Sequence, residues 1–213
     1  AGKSDVGDSM SRNNYYNGRF FTEYMFTLND KHDFKFLAGL DMESNRYTSL
    51  GAARADLISP LVPSLNNATH KDVRPSFSNT QWATMGAFGR INYAYDSRYL
   101  AEFSIRRDGS SRFIGDKTWS TFPSFALGWN IANEQFFKPL TKTVNTLKLR
   151  ATYGALGNTN IKALYPWFLS QPANASASSW LVNGQRVNIS NAPGLVSPSL
   201  TWESVRSWNI GLD

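Results

Sequence analysis

From Tyr99 to Arg106 the chain alternates strictly. Tyr99, Ala101, Phe103 and Ile105 fall on one side, and Leu100, Glu102, Ser104 and Arg106 on the other. A period of two belongs to a strand with an apolar medium on one face and a polar one on the other. The same alternation predicts strands over 19–28, 32–42, 81–95, 98–107, 121–131, 147–155 and 200–213. In the second of these, Phe34, Phe36, Ala38, Leu40 and Met42 oppose Lys35, Leu37, Gly39 and Asp41. In the last, Trp208, Ile210 and Leu212 oppose Ser207, Asn209, Gly211 and Asp213.

The links between these runs follow an order. Asn29-Asp30-Lys31 and Asp96-Ser97 predict tight turns. Residues 132–146 predict a modest link with one helical turn before Pro139, capped by Asn133. The longer links are 43–80, which contains Pro60, Pro63 and Pro75, then 108–120, then 157–199. Residues 1–18, rich in Ser, Asp, Asn and Gly, also read as a loop. Asp108-Gly109 predicts a turn leaving the fourth strand, with glycine supplying positive φ.

Short and long links in alternation are the mark of a transmembrane β-barrel. A structureless link as long as 43–80 would count against a compact soluble domain. The charges agree. Lys35, Arg106, Lys148 and Arg150 sit on the polar face, whereas Lys or Arg facing lipid at mid-bilayer costs about 2–4 kcal/mol. Arg206 shares a face with Trp208 and is expected near a rim. Seven strands leave two open edges, which hydrocarbon does not tolerate. The expected fold class is therefore all-β: about seven antiparallel transmembrane strands of a larger outer-membrane β-barrel, with no plug domain or signal peptide in 1–213.

Composition narrows the function classes. The formal charge is +6, but no block of like charge among the 22 Lys and Arg reaches even four residues, which argues against a nucleic-acid footprint. Cysteine is absent, removing disulfides and thiolate metal sites. The two histidines, His32 and His70, have no nucleophile or spaced carboxylate beside them. Glu203 beside Trp202 lacks a second carboxylate for glycoside hydrolysis. No catalytic residue, metal site or cofactor is expected, and the protein is read as not an enzyme.

Several segments in order resemble a known family. They are Gly89-Arg90-Ile91-Asn92-Tyr93, Asp96-Ser97-Arg98-Tyr99-Leu100, Ser104-Ile105-Arg106-Arg107-Asp108-Gly109-Ser110-Ser111-Arg112-Phe113 and Leu127-Gly128-Trp129. Leu147-Lys148-Leu149-Arg150-Ala151-Thr152-Tyr153-Gly154, Gly157-Asn158, Leu200-Thr201-Trp202-Glu203 and Asn209-Ile210-Gly211-Leu212-Asp213 continue the run. Together they resemble the mid-barrel region of SusC/RagA-type TonB-dependent transporters. The resemblance implies a plugged barrel of about 22 strands in the outer membrane of a Gram-negative, Bacteroidetes-like cell. It implies TonB, engaged through an N-terminal region outside this sequence, and a SusD-like surface lipoprotein. Oligosaccharides or peptides are the implied substrates.

The polar set Arg90, Asn92, Glu102, Arg106, Lys148 and Arg150 is expected to face the lumen or the plug, with mutual pairing between strands as the plainer alternative. The loop aromatics Tyr165, Trp167, Phe168 and Trp180 are candidates for contact with substrate or lipoprotein; an aromatic girdle would use the same residues. The rival to the whole reading is a soluble β-sandwich that binds carbohydrate through surface aromatics.

Overall fold

A computed structural model describes residues 4–140, 142–159, 161, 164–169, 173–174, 181–186, 189–190, 192–194, 196 and 200–213. Seven strands form one antiparallel sheet in chain order: β1 (Val6–Leu28), β2 (His32–Arg54), β3 (Arg74–Tyr95), β4 (Tyr99–Ser110), β5 (Trp119–Asn130), β6 (Lys148–Asn158) and β7 (Glu203–Leu212). Each strand pairs with its sequence neighbour, the up-and-down arrangement that the link lengths predicted.

The two tight turns carry consecutive left-handed residues: Asn29 and Asp30 (φ 52° and 54°), then Asp96 and Ser97 (φ 48° and 53°). Asn and Asp tolerate this region better than other side chains, and its twist matches that of the flanking strands. Each turn is closed by a backbone hydrogen bond, Lys31 N–H to the Leu28 carbonyl at 3.2 Å and Arg98 N–H to the Tyr95 carbonyl at 2.9 Å.

The register aligns the apolar positions across all seven strands. One row runs Tyr24, Phe36, Ile91, Phe103, Phe125, Tyr153, Trp208. Rings meet across strands along this face, as in Phe34–Tyr93 (4.9 Å) and Phe103–Phe125 (5.0 Å), each worth about 0.5–1.5 kcal/mol beyond its burial. None of the described residues covers the face: Leu127 is 63% and Trp208 76% exposed. The buried hydrophobic side chains, among them Phe113, Phe122 and Phe137, gather at the strand ends and not between layers.

Strand length departs from expectation. β4 to β7 are 10–12 residues long, close to the ~9–11 that cross a bilayer on a tilt. β1, β2 and β3 run to 22–23 residues, so most of the loop read over 1–18 and half of that read over 43–80 are strand. The link between β2 and β3 shrinks to 55–73, with a 3-10 turn at Leu65–Asn67. The extensions carry polar residues on both faces, such as Asn13, Asn14, Asn45 and Arg46. Backbone pairing continues past the point where the apolar alternation stops, and periodicity is blind to it.

Asp108-Gly109 is also corrected. Both residues lie inside β4, and the left-handed glycine of that link is Gly115 (φ 63°). Gly109 is present for space: a Cβ there would fall 2.9 Å from three ring atoms of Trp119 on β5. The 131–147 link holds two 3-10 turns, Ile131–Asn133 and Gln135–Leu140, with Pro139 inside the second. Asn133 ends the first turn instead of capping a helix, and its amide donates to the Ser97 carbonyl at 3.0 Å. Within the loop read over 157–199, a two-residue ladder closes on Asn183-Gly184, both left-handed (φ 51° and 77°).

Candidate functional site: the polar face of the sheet

The pairing register sets Arg90, Asn92, Glu102, Arg106, Lys148 and Arg150 on one face, opposite the aromatics. Asn92, Glu102, Lys148 and Arg150 line a groove of about 740 Å³ together with Lys35 and Thr152. It runs across the sheet from β1 to β6.

The charges on this face are organised by a glycine. Asp41 on β2, Gly86 on β3 and Asp108 on β4 lie in one row. Because Gly86 has no side chain, both carboxylates reach Arg106: Asp41 at 2.8 Å and Asp108 at 2.7 Å. A Cβ on Gly86 would sit 2.2 Å from Asp108 Oδ1 and 2.6 Å from Asp41 Oδ1. Arg19 approaches Asp41 from β1 at 3.8 Å. A second group joins Arg90 to Glu102 at 4.0 Å, with the Asn92 amide donating to the same carboxylate. Lys35 pairs with Glu23 at 2.9 Å and Arg150 with Asp213 at 3.3 Å. These pairs are half-exposed, so each contributes at most about 1 kcal/mol. Among the described residues Lys148 has no ion-pair partner, which leaves a cation in the groove. Neither Asp41 nor Gly86 was singled out from sequence, although a glycine within a strand signals close approach.

At the long-loop end, Tyr165 donates its hydroxyl to the Gln81 carbonyl at 2.6 Å. Trp167 meets Tyr165 and Phe168 edge-on at 6.1 and 6.2 Å, and Phe168 is 64% exposed. Trp180 lies outside the described residues. Sequence reading missed the neighbouring lock. Trp202 packs on Phe113 (5.4 Å) and Phe122 (5.6 Å), and its Nε1–H donates to the Lys117 carbonyl at 3.1 Å. Arg112 crosses to the Thr159 and Ile161 carbonyls at 2.8 and 3.1 Å.

At the short-turn end Glu134 is buried and accepts from three donors. These are the Tyr99 hydroxyl at 2.7 Å, Trp129 Nε1–H at 3.1 Å and Arg98 at 3.2 Å. The Tyr99 and Trp129 hydrogen bonds, with the Arg98 charge, hold its carboxyl below the ordinary glutamate range, and burial opposes them. His32 bonds the Tyr93 hydroxyl at 2.9 Å and His70 accepts from the Asp72 backbone at 3.2 Å.

Comparison with known proteins bears on this arrangement. The family model of the TonB dependent receptor-like β-barrel matches residues 2–213. TonB-dependent receptor P39 of Formosa agariphila is 34% identical over 206 residues, covering 93% of this chain and 18% of its own length. SusC of Bacteroides thetaiotaomicron is 39% identical over 126 residues, covering 59% of this chain and 12% of its own. The RagAB peptide transporter shares the fold with a TM-score of 0.82 at 23% identity, over 97% of this chain and 22% of that one. The chain thus spans about a fifth or less of the length of the curated relatives it matches.

Proposed function

The chain belongs to the TonB-dependent receptor-like β-barrel family, with SusC/RagA-type proteins among its relatives, and on that premise we propose that it forms seven consecutive wall strands of an outer-membrane nutrient importer. The observation that carries this is the uncovered apolar face. Tyr95, Tyr99 and Trp129 stack at its short-turn end, with centroids 6.3 and 6.4 Å apart. Trp119 lies on the same face at the other end of β5. The ten residue steps from Trp119 to Trp129, at ~3.4 Å each and a ~45° tilt, give about 24 Å of height, matching the ~25 Å apolar band of such barrels. A soluble sandwich would cover this face with a second sheet, and the chain supplies none among the described residues.

In this reading β1 and β7 pair with further strands of the same barrel, since open edges are untenable in lipid. The short turns face the periplasm and the long links the outside of a Gram-negative, Bacteroidetes-like cell. Arg90, Asn92, Glu102, Arg106, Lys148 and Arg150 face the lumen and its plug. Tyr165, Trp167 and Phe168 belong to the outer rim, where a SusD-like lipoprotein or an oligosaccharide or peptide substrate makes contact. Energy arrives through TonB by way of a region outside this sequence.

An antibody raised against this chain tests the proposal on fractionated native cells. The expected result is an outer-membrane band well above 23.9 kDa, extracted by detergent together with a lipoprotein. A soluble band of the chain's own mass would overturn it.

A further inference from the structure

Charge is divided unequally between the two faces of the sheet. The groove face carries carboxylates matched to its cations, including Glu23, Asp41, Glu102 and Asp108. The outward face of the seven strands carries five arginines; Arg54, at the end of β2, is held by the His70 and Leu65 carbonyls, which leaves Arg12, Arg46, Arg107 and Arg206. Its one carboxylate, Asp8, lies beyond Arg12 towards the tip of β1.

Each of the four closes the apolar run that starts from the short-turn end of its own strand, with Met10 and Leu50 lying further out on β1 and β2. Arg107 follows Ile105, Arg206 precedes Trp208 and Ile210, Arg46 lies past Met42 and Ser44, and Arg12 lies past Tyr16 and Asn14. All four are exposed, and none has an ion-pair or hydrogen-bond partner among the described residues. Arg107 lies over the Trp119 ring, 5.8 Å from its centroid. From Arg12 to Arg206 the positions descend by ten residues over six strand spacings, with Arg107 three residues nearer the short turns than the line through these ends. That slope is close to the ~1.4 residues per 4.8 Å spacing that a ~45° tilt imposes on a level line. The arginines thus form a belt where the apolar band ends. Guanidinium is the side chain best shaped for bidentate contact with phosphate oxygens.

We propose that Arg12, Arg46, Arg107 and Arg206 bind the phosphate groups of anionic glycolipid headgroups in the outer leaflet around the barrel. The proposal rests on the membrane-embedded reading above. Carboxylates are absent at this level because they would repel the same phosphates, whereas on the groove face they neutralise fixed cations.

The test uses the full-length protein that carries these strands, reconstituted into phosphatidylcholine vesicles with or without diphosphoryl lipid A. A variant with all four arginines changed to glutamine is compared with one changed to lysine. Lipid A is expected to raise the melting temperature of the native protein. The glutamine variant loses that rise, the lysine variant keeps part of it, and all three insert equally into phosphatidylcholine alone. An equal rise in native and glutamine forms, or the same rise with dephosphorylated lipid A, overturns the proposal and leaves the barrel reading intact. Failure of the native protein to enter any vesicle overturns both.

Discussion

Arg106 on β4 reaches past β3 to bond Asp41 on β2 at 2.8 Å, and it does so over the bare backbone of Gly86. Three strands are tied at one point on the polar face. Replacing Gly86 with alanine drives a methyl into both carboxylates. The expected cost is about 1–3 kcal/mol, the usual size of overpacking, read as a lower unfolding temperature in detergent. Asp41→Ala in the same background should recover part of it, because one of the two clashing groups is gone.

A second close approach lies at the long-loop end. The buried Phe122 ring covers Gly157, where a Cβ would fall 2.0 Å from Cζ. Gly157→Ala is expected to destabilise by about 1–3 kcal/mol. Phe122→Leu should lessen that penalty in a double-mutant cycle. Purely additive effects would show that the ring moves aside without cost.

Lipid contact is tested by charge. Phe125→Arg points outwards from mid-strand, and about 2–4 kcal/mol of destabilisation is expected for arginine at the bilayer midplane. Ala126→Arg, one residue on, points into the groove and should be nearly neutral. Similar costs at the two sites, measured by unfolding from vesicles, would contradict the assignment of faces.

The Glu134 latch responds to acid in one direction. Its carboxyl is held below the ordinary glutamate range by Tyr99 first, then Trp129. The stabilisation is therefore complete above that range and is lost as pH falls through the lowered value. Amide exchange at residues 96–99 and 129–134 should accelerate only in strong acid. Glu134→Gln should exchange faster at neutral pH and lose the acid dependence.

Solvent access offers an independent check, since the sequence contains no cysteine. Single cysteines at Leu127 and Ile210 should resist a water-soluble maleimide in membranes. Cysteines at Thr152 and Arg150 should react, at rates that fall when the lumen is occupied.

Much of the architecture was legible in the chain itself. The period of two assigns Phe103 and Glu102 to opposite faces, and Asn29-Asp30 and Asp96-Ser97 mark the tight turns, because both signals are local. The reach of β1 to β3 was not legible: their ends are polar on both sides, and pairing there is held by backbone hydrogen bonds that any sequence can make. Asp108-Gly109 misled for a related reason. Glycine serves turns and close packing alike, and only the ring of Trp119 across the strand boundary distinguishes them. The meeting of Asp41 with Arg106, of Phe122 with Gly157, and of Glu134 with Tyr99 depends on cross-strand register and on contacts between residues tens of positions apart. Sequence alone determined the faces and the order of strands. Tertiary structure decided which charges meet and where space had to be left, because both require the strands to be set side by side.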